Sequence, residues 1–258
     1  MNAAVIVAII SGLVALASAI LSLYGVWLQE RQKHRLIALQ HQLEQERQKY
    51  NKEQLVRELM SKYREPLLRA AFDLQSRIYN IVEICFLENY YTEGTPLEKE
   101  YACENTLYVI AEYLGWVEIM RREVQFLDLG DVSENRKFVD LIDRITQTFL
   151  EGRLEEIFRI FRGEQRAIGE IMMNSLSVNS NSPSRECIGY ANFVYKQKDP
   201  NFSRWFDKLR QDIEILANNP GKYYQRLIKL QHALVDLIDF LDPDYVRFPK
   251  KNRSKINR

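Results

Sequence analysis

The side chains best suited to bind a ligand lie in one short stretch, RGEQRAIGE, at residues 162–170. Four polar residues in it stand around two glycines: Arg162, Glu164, Gln165 and Arg166. Arginine binds phosphate through paired hydrogen bonds, and glycine allows a backbone to approach closely. The stretch is therefore a candidate ligand site. The alternative is a helix start whose arginines pair with Glu164 and Glu170 at the surface.

A second pair of residues could act on nucleic acid. Arg226 and His232 stand in an R-x5-H arrangement within RLIKLQH. The arrangement resembles the motif of HEPN ribonucleases, small helical domains that dimerise to bring arginine and histidine together around RNA. The resemblance implies catalytic roles for both residues, although Leu227 replaces the polar residue that often follows the arginine. Six residues on one helix correspond to about 240° of rotation, so Arg226 and His232 do not share a face. The alternative is therefore that His232 has a structural role.

Motifs for other chemistries are missing. The sequence contains no GxxxxGK[ST], GxGxxG, GxSxG or HExxH pattern. Four aspartates crowd the end of the last predicted helix in a spacing that fits no EF-hand loop: Asp236, Asp239, Asp242 and Asp244. Because acid is disfavoured at a helix C-terminus, we expect basic partners such as Arg247. We expect no metal and no cofactor, and the sequence favours a non-enzymatic protein.

The N-terminal segment indicates the cellular location of these candidate residues. No side chain is charged from Met1 to Gln29. A helix of that length measures roughly 40 Å, more than the ~30 Å core of a bilayer. We therefore predict a single transmembrane helix at residues 4–28, with a cleaved signal peptide and a buried hairpin helix as alternatives. Arg31, Lys33 and Arg35 follow at once, which predicts that the N-terminus is outside and the rest is cytoplasmic.

Small residues follow one face of this predicted helix. They recur at alternating spacings of four and three: Ala4, Ala8, Ser11, Ala15, Ser18, Ser22 and Gly25. Helices associate in lipid through such small residues, and this spacing suits a parallel left-handed assembly. We call these seven residues the small-residue seam, and they predict a parallel homo-oligomer. The alternative is that the seam is an accident of a composition rich in small residues.

The remaining chain reads as helical. Helix-forming residues run from Gln29 to Arg64 without glycine or proline, which predicts a helical stalk over 29–65. The apolar phase continues through Leu36, Leu39 and Leu43, a short coiled-coil signal. Pro66 suits the first turn of a new helix. Apolar residues at helical spacing then predict an all-α cytoplasmic bundle over 66–249 with Trp205 buried, followed by a basic disordered tail at 250–258.

Composition narrows the choice of function. Lys and Arg total 36 against 35 for Asp and Glu, which argues against a dedicated nucleic-acid binder. Three widely spaced cysteines, Cys85, Cys103 and Cys187, indicate buried free thiols in a reducing compartment. The leading hypothesis is a membrane-anchored helical protein that contacts lipid, self-associates, and senses or recruits a cytoplasmic protein or small ligand. A membrane-tethered HEPN-like ribonuclease is the alternative, and a passive membrane scaffold is the second alternative.

Overall fold

The computed structural model of this protein describes residues 3–124, 132–175 and 185–257. Within these ranges, the side chains at 3–11, at odd positions from 13 to 19, and at 52–53, 55–61, 123–124, 132–135 and 175 lie outside the description. The structure is 76% helix and 2% strand, which confirms the predicted all-α fold.

Helices account for nearly all of the regular structure. In the described chain they are α1 (Ala3–Glu83), α2 (Pro96–Val124), α3 (Val132–Leu150), α4 (Arg162–Ile171), α5 (Tyr190–Lys196), α6 (Pro200–Ser203), α7 (Asp207–Ala217) and α8 (Gln225–Leu241). Two short strands, β1 (Met173–Ser175) and β2 (Arg185–Cys187), form an antiparallel hairpin in which Met173 lies opposite Cys187. The sequence analysis did not predict this hairpin.

The chain divides into two compact units, Met1–Gln54 and Leu55–Arg258. In the first unit, every residue whose burial is described from Gly12 to Asn51 is exposed. Large apolar side chains are among them, at 52–71% exposure: Val14, Leu16, Ile20, Leu21, Leu23 and Trp27. In the part of the chain that the structure describes, no helix is both long and apolar enough to cross a membrane. The transmembrane helix therefore stays a prediction.

Pro66 does not begin a new helix, contrary to the sequence-based expectation. It lies inside α1, which continues to Glu83. Proline lacks the N–H that would bond to the carbonyl one turn earlier, and this disfavours a helix interior. The turns on either side compensate by burial, because Tyr63, Leu67 and Leu68 are each at most 2% exposed.

One apolar core fills the second unit. It draws buried side chains from α1 onwards, and α2 packs against α4 while α3 packs against α8. Phe193 lies at the centre of an aromatic cluster, with its ring edge-on to Tyr108, Phe202 and Phe206 at centroid distances of 5.2–5.7 Å. Such edge-to-face pairs add to the free energy gained from burial alone.

The predicted amphipathic helix FSRWFDKLRQDIEIL is interrupted. α6 ends at Ser203 and α7 begins at Asp207, so the chain turns between them. Phe206 is fully buried, whereas Trp205 is only half-buried, with the Arg204 guanidinium 5.2 Å from its ring. The prediction of a buried Trp205 is therefore wrong, and Phe206 takes that place in the core.

The described part of the basic tail, residues 250–257, packs against the domain, contrary to the predicted disorder. Arg253 is 4% exposed and Ile256 is 2% exposed. Gln231 on α8 donates to the Ser254 carbonyl oxygen at 2.9 Å and accepts from the Ile256 N–H at 3.2 Å. The Ile256 carbonyl oxygen lies 2.8 Å from His232 Nε2. Hydrogen bonds and a buried isoleucine therefore hold a segment whose composition alone is typical of disorder.

These observations predict which fragment folds independently. A fragment of residues 55–258 should unfold cooperatively, whereas 66–249 lacks Tyr63, Arg253 and Ile256. It also lacks the hydrogen bond from Arg64 Nε to the Leu241 carbonyl oxygen. We expect the shorter fragment to be less stable by at least about 5 kcal/mol, or roughly 10–20 °C in melting temperature by circular dichroism. Fragments trimmed at one end only will assign the loss, and equal melting temperatures would contradict the prediction.

The cysteines are free thiols but are not uniformly buried. Cys103 and Cys187 are partly buried, whereas Cys85 is exposed. Cys85 follows the end of α1 and has a φ of 54°, the left-handed conformation common where helices end. The expectation of three buried thiols is therefore wrong for Cys85, because the helix end places it at the surface.

Candidate functional site

A cavity of about 470 Å³ lies between α2, α3 and α4. Its apolar lining comes from α2 and α3: Leu114, Val117, Met120, Phe138, Val139 and Ile142. Its charged and polar lining includes three arginines, two carboxylates and one amide: Arg121, Arg162, Arg166, Glu118, Asp143 and Gln165. A cavity of this size with an apolar wall and a few convergent polar groups is typical of small-molecule sites.

Two glycines allow close packing against and around α2. A Cβ atom on Gly169 of α4 would lie 2.7 Å from the Leu114 carbonyl oxygen and 2.7 Å from Glu118 Cβ, both on α2. A Cβ atom on Gly115 of α2 would lie 2.5 Å from Cys187 Sγ and 3.0 Å from Met172 Cβ. The close approach expected from the glycines of RGEQRAIGE is therefore confirmed for Gly169. Gly163 has no atom within 4 Å of its hypothetical Cβ.

Alanine at these two glycines should have opposite effects on stability. Gly169→Ala must separate α4 from the α2 backbone, and we expect a loss of about 1–3 kcal/mol. Gly163→Ala meets open space and removes a residue with poor helix propensity, so we expect a gain of up to about 1 kcal/mol. Thermal unfolding of both variants measures the contrast. A loss of equal size at both positions would show that helix packing is not the cause.

A buried carboxylate sits in the wall of the cavity. Glu118 is 3% exposed and accepts hydrogen bonds from Arg121 at 2.6 Å and Arg122 at 2.7 Å. Burial raises the pKa of Glu118, but the two arginines lower it by more, so its pKa lies below the usual value. Arg122 also bridges to Glu170 on α4 at 3.0 Å. Glu118 is thus ionised at neutral pH, and its charge is already balanced from within the domain.

The structure places three of the four predicted ligand residues at the cavity. Arg162, Gln165 and Arg166 line it, whereas Glu164 accepts the Phe161 N–H at 2.7 Å and caps α4. Gln165 is buried and donates to the carbonyl oxygens of Thr146 and Ile160 at 3.2 and 2.9 Å. Arg162 pairs loosely with Asp143 on α3 at 3.4 Å. Of these four residues, the two arginines retain side chains accessible to a ligand.

Sequence reasoning missed the contributions of α2 and α3. Their lining residues lie between positions 114 and 146, far from the RGEQRAIGE stretch, and they form no recognisable motif. The available signal is the pair of amphipathic helices preceding that stretch, which gives no indication that a cavity remains between them.

Arg226 and His232 occupy separate structural positions. Arg226 is fully buried and donates hydrogen bonds to five backbone carbonyl oxygens, those of Thr148, Phe149, Glu151, Glu155 and Ile157. His232 contacts the C-terminal tail through the Ile256 carbonyl oxygen. The Arg226 guanidinium therefore holds the connection between α3 and α4 and is not exposed to an RNA strand.

Asp236 and Asp242, two of the aspartates near the end of α8, are paired with basic residues other than the expected Arg247. Asp242 is paired with the buried Arg253, and Asp236 with Arg144 and Lys255. The Arg247 side chain pairs instead with Glu65 at 2.9 Å. Among the described residues, no group of three or more histidines, cysteines or acidic residues is placed to hold a metal ion.

The small-residue seam is described only in part. The side chains of Ala4, Ala8, Ser11 and Ala15 lie outside the described residues. Ser18, Ser22 and Gly25 are exposed, and Ser18 Oγ donates to the Val14 carbonyl oxygen of its own helix at 2.9 Å. No known protein family, curated protein or solved structure matches this chain.

Proposed function

We propose that this chain is a non-enzymatic, single-pass membrane protein that self-associates through its N-terminal helix and binds a cytoplasmic ligand in the α2–α3–α4 cavity. The observation that carries the proposal is the exposure of large apolar side chains along α1. Val14, Leu16, Ile20, Leu21 and Leu23 are 60–71% exposed in a segment without charge. Exposed apolar stretches of this extent mark contact with a membrane or with another protein.

The uncharged run is longer than the part whose side chains are described. It begins at Met1, and the side chains of residues 3–11 lie outside the description. Leu and Val insert favourably into a bilayer, whereas Asp, Lys and Arg cost about 2.5–3.5 kcal/mol each at its centre, and none of these occurs before Glu30. Tyr24 and Trp27 stack at 6.0 Å near the C-terminal end of the run, where aromatic residues anchor helices at an interface.

Membrane extraction tests the anchor. The full chain should remain in the membrane pellet after alkaline carbonate washing, and a variant lacking residues 1–28 should be released. An internal control replaces Leu16, Ile20 and Leu23 by aspartate, which keeps the length but removes the apolar character. Release of the full chain by carbonate, or retention of the aspartate variant, would contradict an inserted helix.

Self-association is proposed along the small-residue seam. All copies insert with the same orientation, so contacts between anchors are parallel. Because the Ser18 hydroxyl bonds within its own helix, close packing rather than hydrogen bonding between helices would hold the seam together. Ser18→Ile should therefore weaken association. Ile20→Leu, two residues further and about 200° around the helix, lies outside the seam and should leave association intact.

Disulfide crosslinking of single cysteines in membranes tests this assembly. The native Cys85, Cys103 and Cys187 are first replaced by serine or alanine. Cysteines at positions 18 and 22 should then crosslink efficiently, and cysteines at 20 and 24 should not. Equal crosslinking from the two pairs of positions would mean that the small-residue seam does not direct assembly.

A further inference from the structure

We infer that the α2–α3–α4 cavity binds a single-chain amphiphile with one negative charge, a long-chain fatty acid carboxylate. The inference deepens the ligand binding proposed above and rests on it. Two independent features of the cavity, its apolar wall and its charge balance, indicate this chemical class of ligand.

The apolar wall suits an alkyl chain. Leu114, Met120 and Phe138 are 4–7% exposed and form its deep part, while Val139 is 54% exposed at the surface. Each methylene buried against such a wall adds to the free energy of binding, so a long chain would bind more tightly than a short one.

The charge balance suits a single anionic group. Among the lining residues that the structure describes, three arginines and two carboxylates leave one excess positive charge. Glu118 is balanced by Arg121 and Arg122, and Asp143 is paired with Arg162. Arg166 is exposed, and its side chain makes no hydrogen bond or ion pair with any other residue that the structure describes. The excess charge is therefore the Arg166 guanidinium.

A carboxylate fits this guanidinium better than a neutral or a doubly charged headgroup does. Arginine binds a carboxylate through two parallel hydrogen bonds, and one negative charge matches the single excess positive charge. A neutral alcohol or ester would leave Arg166 unpaired, and a doubly charged phosphate would exceed the available charge. The Gln165 amide is committed to backbone carbonyl oxygens and does not compete for the headgroup. A domain held at a membrane by its anchor lies next to a source of free fatty acids.

Photolabelling of the full chain tests the inference. The chain is reconstituted in lipid nanodiscs and irradiated with hexadecanoate that carries a diazirine in its alkyl chain, and labelled peptides are identified by mass spectrometry. We expect labels in the cavity-lining peptides of α2 and α3, and at least tenfold less labelling by the methyl ester. Octanoate with the same diazirine should label more weakly than hexadecanoate.

Variants separate the headgroup contact from nonspecific labelling. Arg166→Gln should reduce labelling of α2 and α3 roughly tenfold, as expected for the loss of a charged hydrogen-bond pair. Arg136→Gln is the matched control, since Arg136 is an exposed arginine of α3 that does not line the cavity, and it should change nothing. Val139→Asp places a negative charge at the surface of the cavity and should also reduce labelling.

The inference is overturned by labels confined to residues 3–28, by equal labelling with the methyl ester, or by equal effects of Arg166→Gln and Arg136→Gln. These outcomes leave the membrane anchor intact, because carbonate extraction measures it separately. If the anchor fails instead, the same labelling of the chain without lipid still decides whether the cavity binds the carboxylate.

Discussion

Replacing Arg226 by methionine is expected to destabilise the helical domain by about 3–5 kcal/mol. The change removes one buried cation and leaves five carbonyl oxygens at the end of α3 and in the following connection without their donor. Leaving a buried polar group unsatisfied costs about 1–3 kcal/mol, and the five groups can relax only in part. One of these oxygens belongs to Ile157, next to Phe158, which has a φ of 55° and an N–H bonded to Asp212 at 2.9 Å.

Thermal unfolding of the full chain in mild detergent measures this loss. Arg226→Lys should recover only part of the stability, because an ammonium group cannot reproduce the planar fork that reaches five acceptors. Lys229→Ala is the control on the same helix, since it removes only an exposed ion pair with Glu151 and should cost less than about 1 kcal/mol. A small loss for Arg226→Met would mean that Arg226 is free for another role, including the catalytic role that the HEPN resemblance implies.

Replacing Arg253 by alanine is expected to cost about 3–5 kcal/mol. The Asp242 carboxylate is 6% exposed and would remain buried without its cation. Arg253 also donates to the Asp242 carbonyl oxygen at 2.9 Å and to Asp239 at 3.1 Å, so its loss would free the tail from the end of α8. Asp242→Asn should cost less than Arg253→Ala if the amide oxygen keeps some of the backbone hydrogen bonds.

The same pair predicts a dependence on pH. Burial raises the pKa of Asp242, but N–H groups of Phe248, Arg247 and Val246, together with the Arg253 charge, lower it by more. The folded-state pKa therefore lies below the unfolded value of about 3.9. The stabilisation from Asp242 is complete above the unfolded pKa and is lost as pH falls through the folded one. The free energy of unfolding, monitored by circular dichroism, should fall less steeply between pH 5 and pH 2 in Asp242→Asn than in the unchanged chain. An equal slope in both would contradict this prediction.

Amphipathic periodicity was sufficient to predict the helical architecture. The stripes that define α2, α3 and α8 are local, because a helix shows its buried face within a few turns of its own sequence. The ends of helices were predicted less well. Pro66 is a strong local signal for a helix start, but the burial of its neighbours outweighs that signal, and burial depends on residues distant in the sequence.

The roles of the candidate functional residues are set more by tertiary structure than by motifs in the sequence. R-x5-H is a pattern of residue types, and it carries no information about the complete burial of Arg226. The tail was predicted incorrectly for a similar reason. A run of lysine and arginine is typical of disorder unless a carboxylate of the folded domain pairs with it. The unexplained aspartates at the end of α8 were the available signal. The candidate cavity was only partly predicted, since two helices with no motif supply its wall.

The membrane anchor is the central claim, and thiol labelling on intact cells tests it most directly. Cys85 is exposed and lies on the domain that we place in the cytoplasm, so a membrane-impermeant maleimide should not label it until the cells are permeabilised. A cysteine introduced as Asn2→Cys, in a chain with Cys85→Ser, Cys103→Ala and Cys187→Ala, should be labelled without permeabilisation. Labelling of Cys85 in intact cells, or protection of residue 2 until permeabilisation, would contradict a helix that crosses the membrane with its C-terminal domain inside.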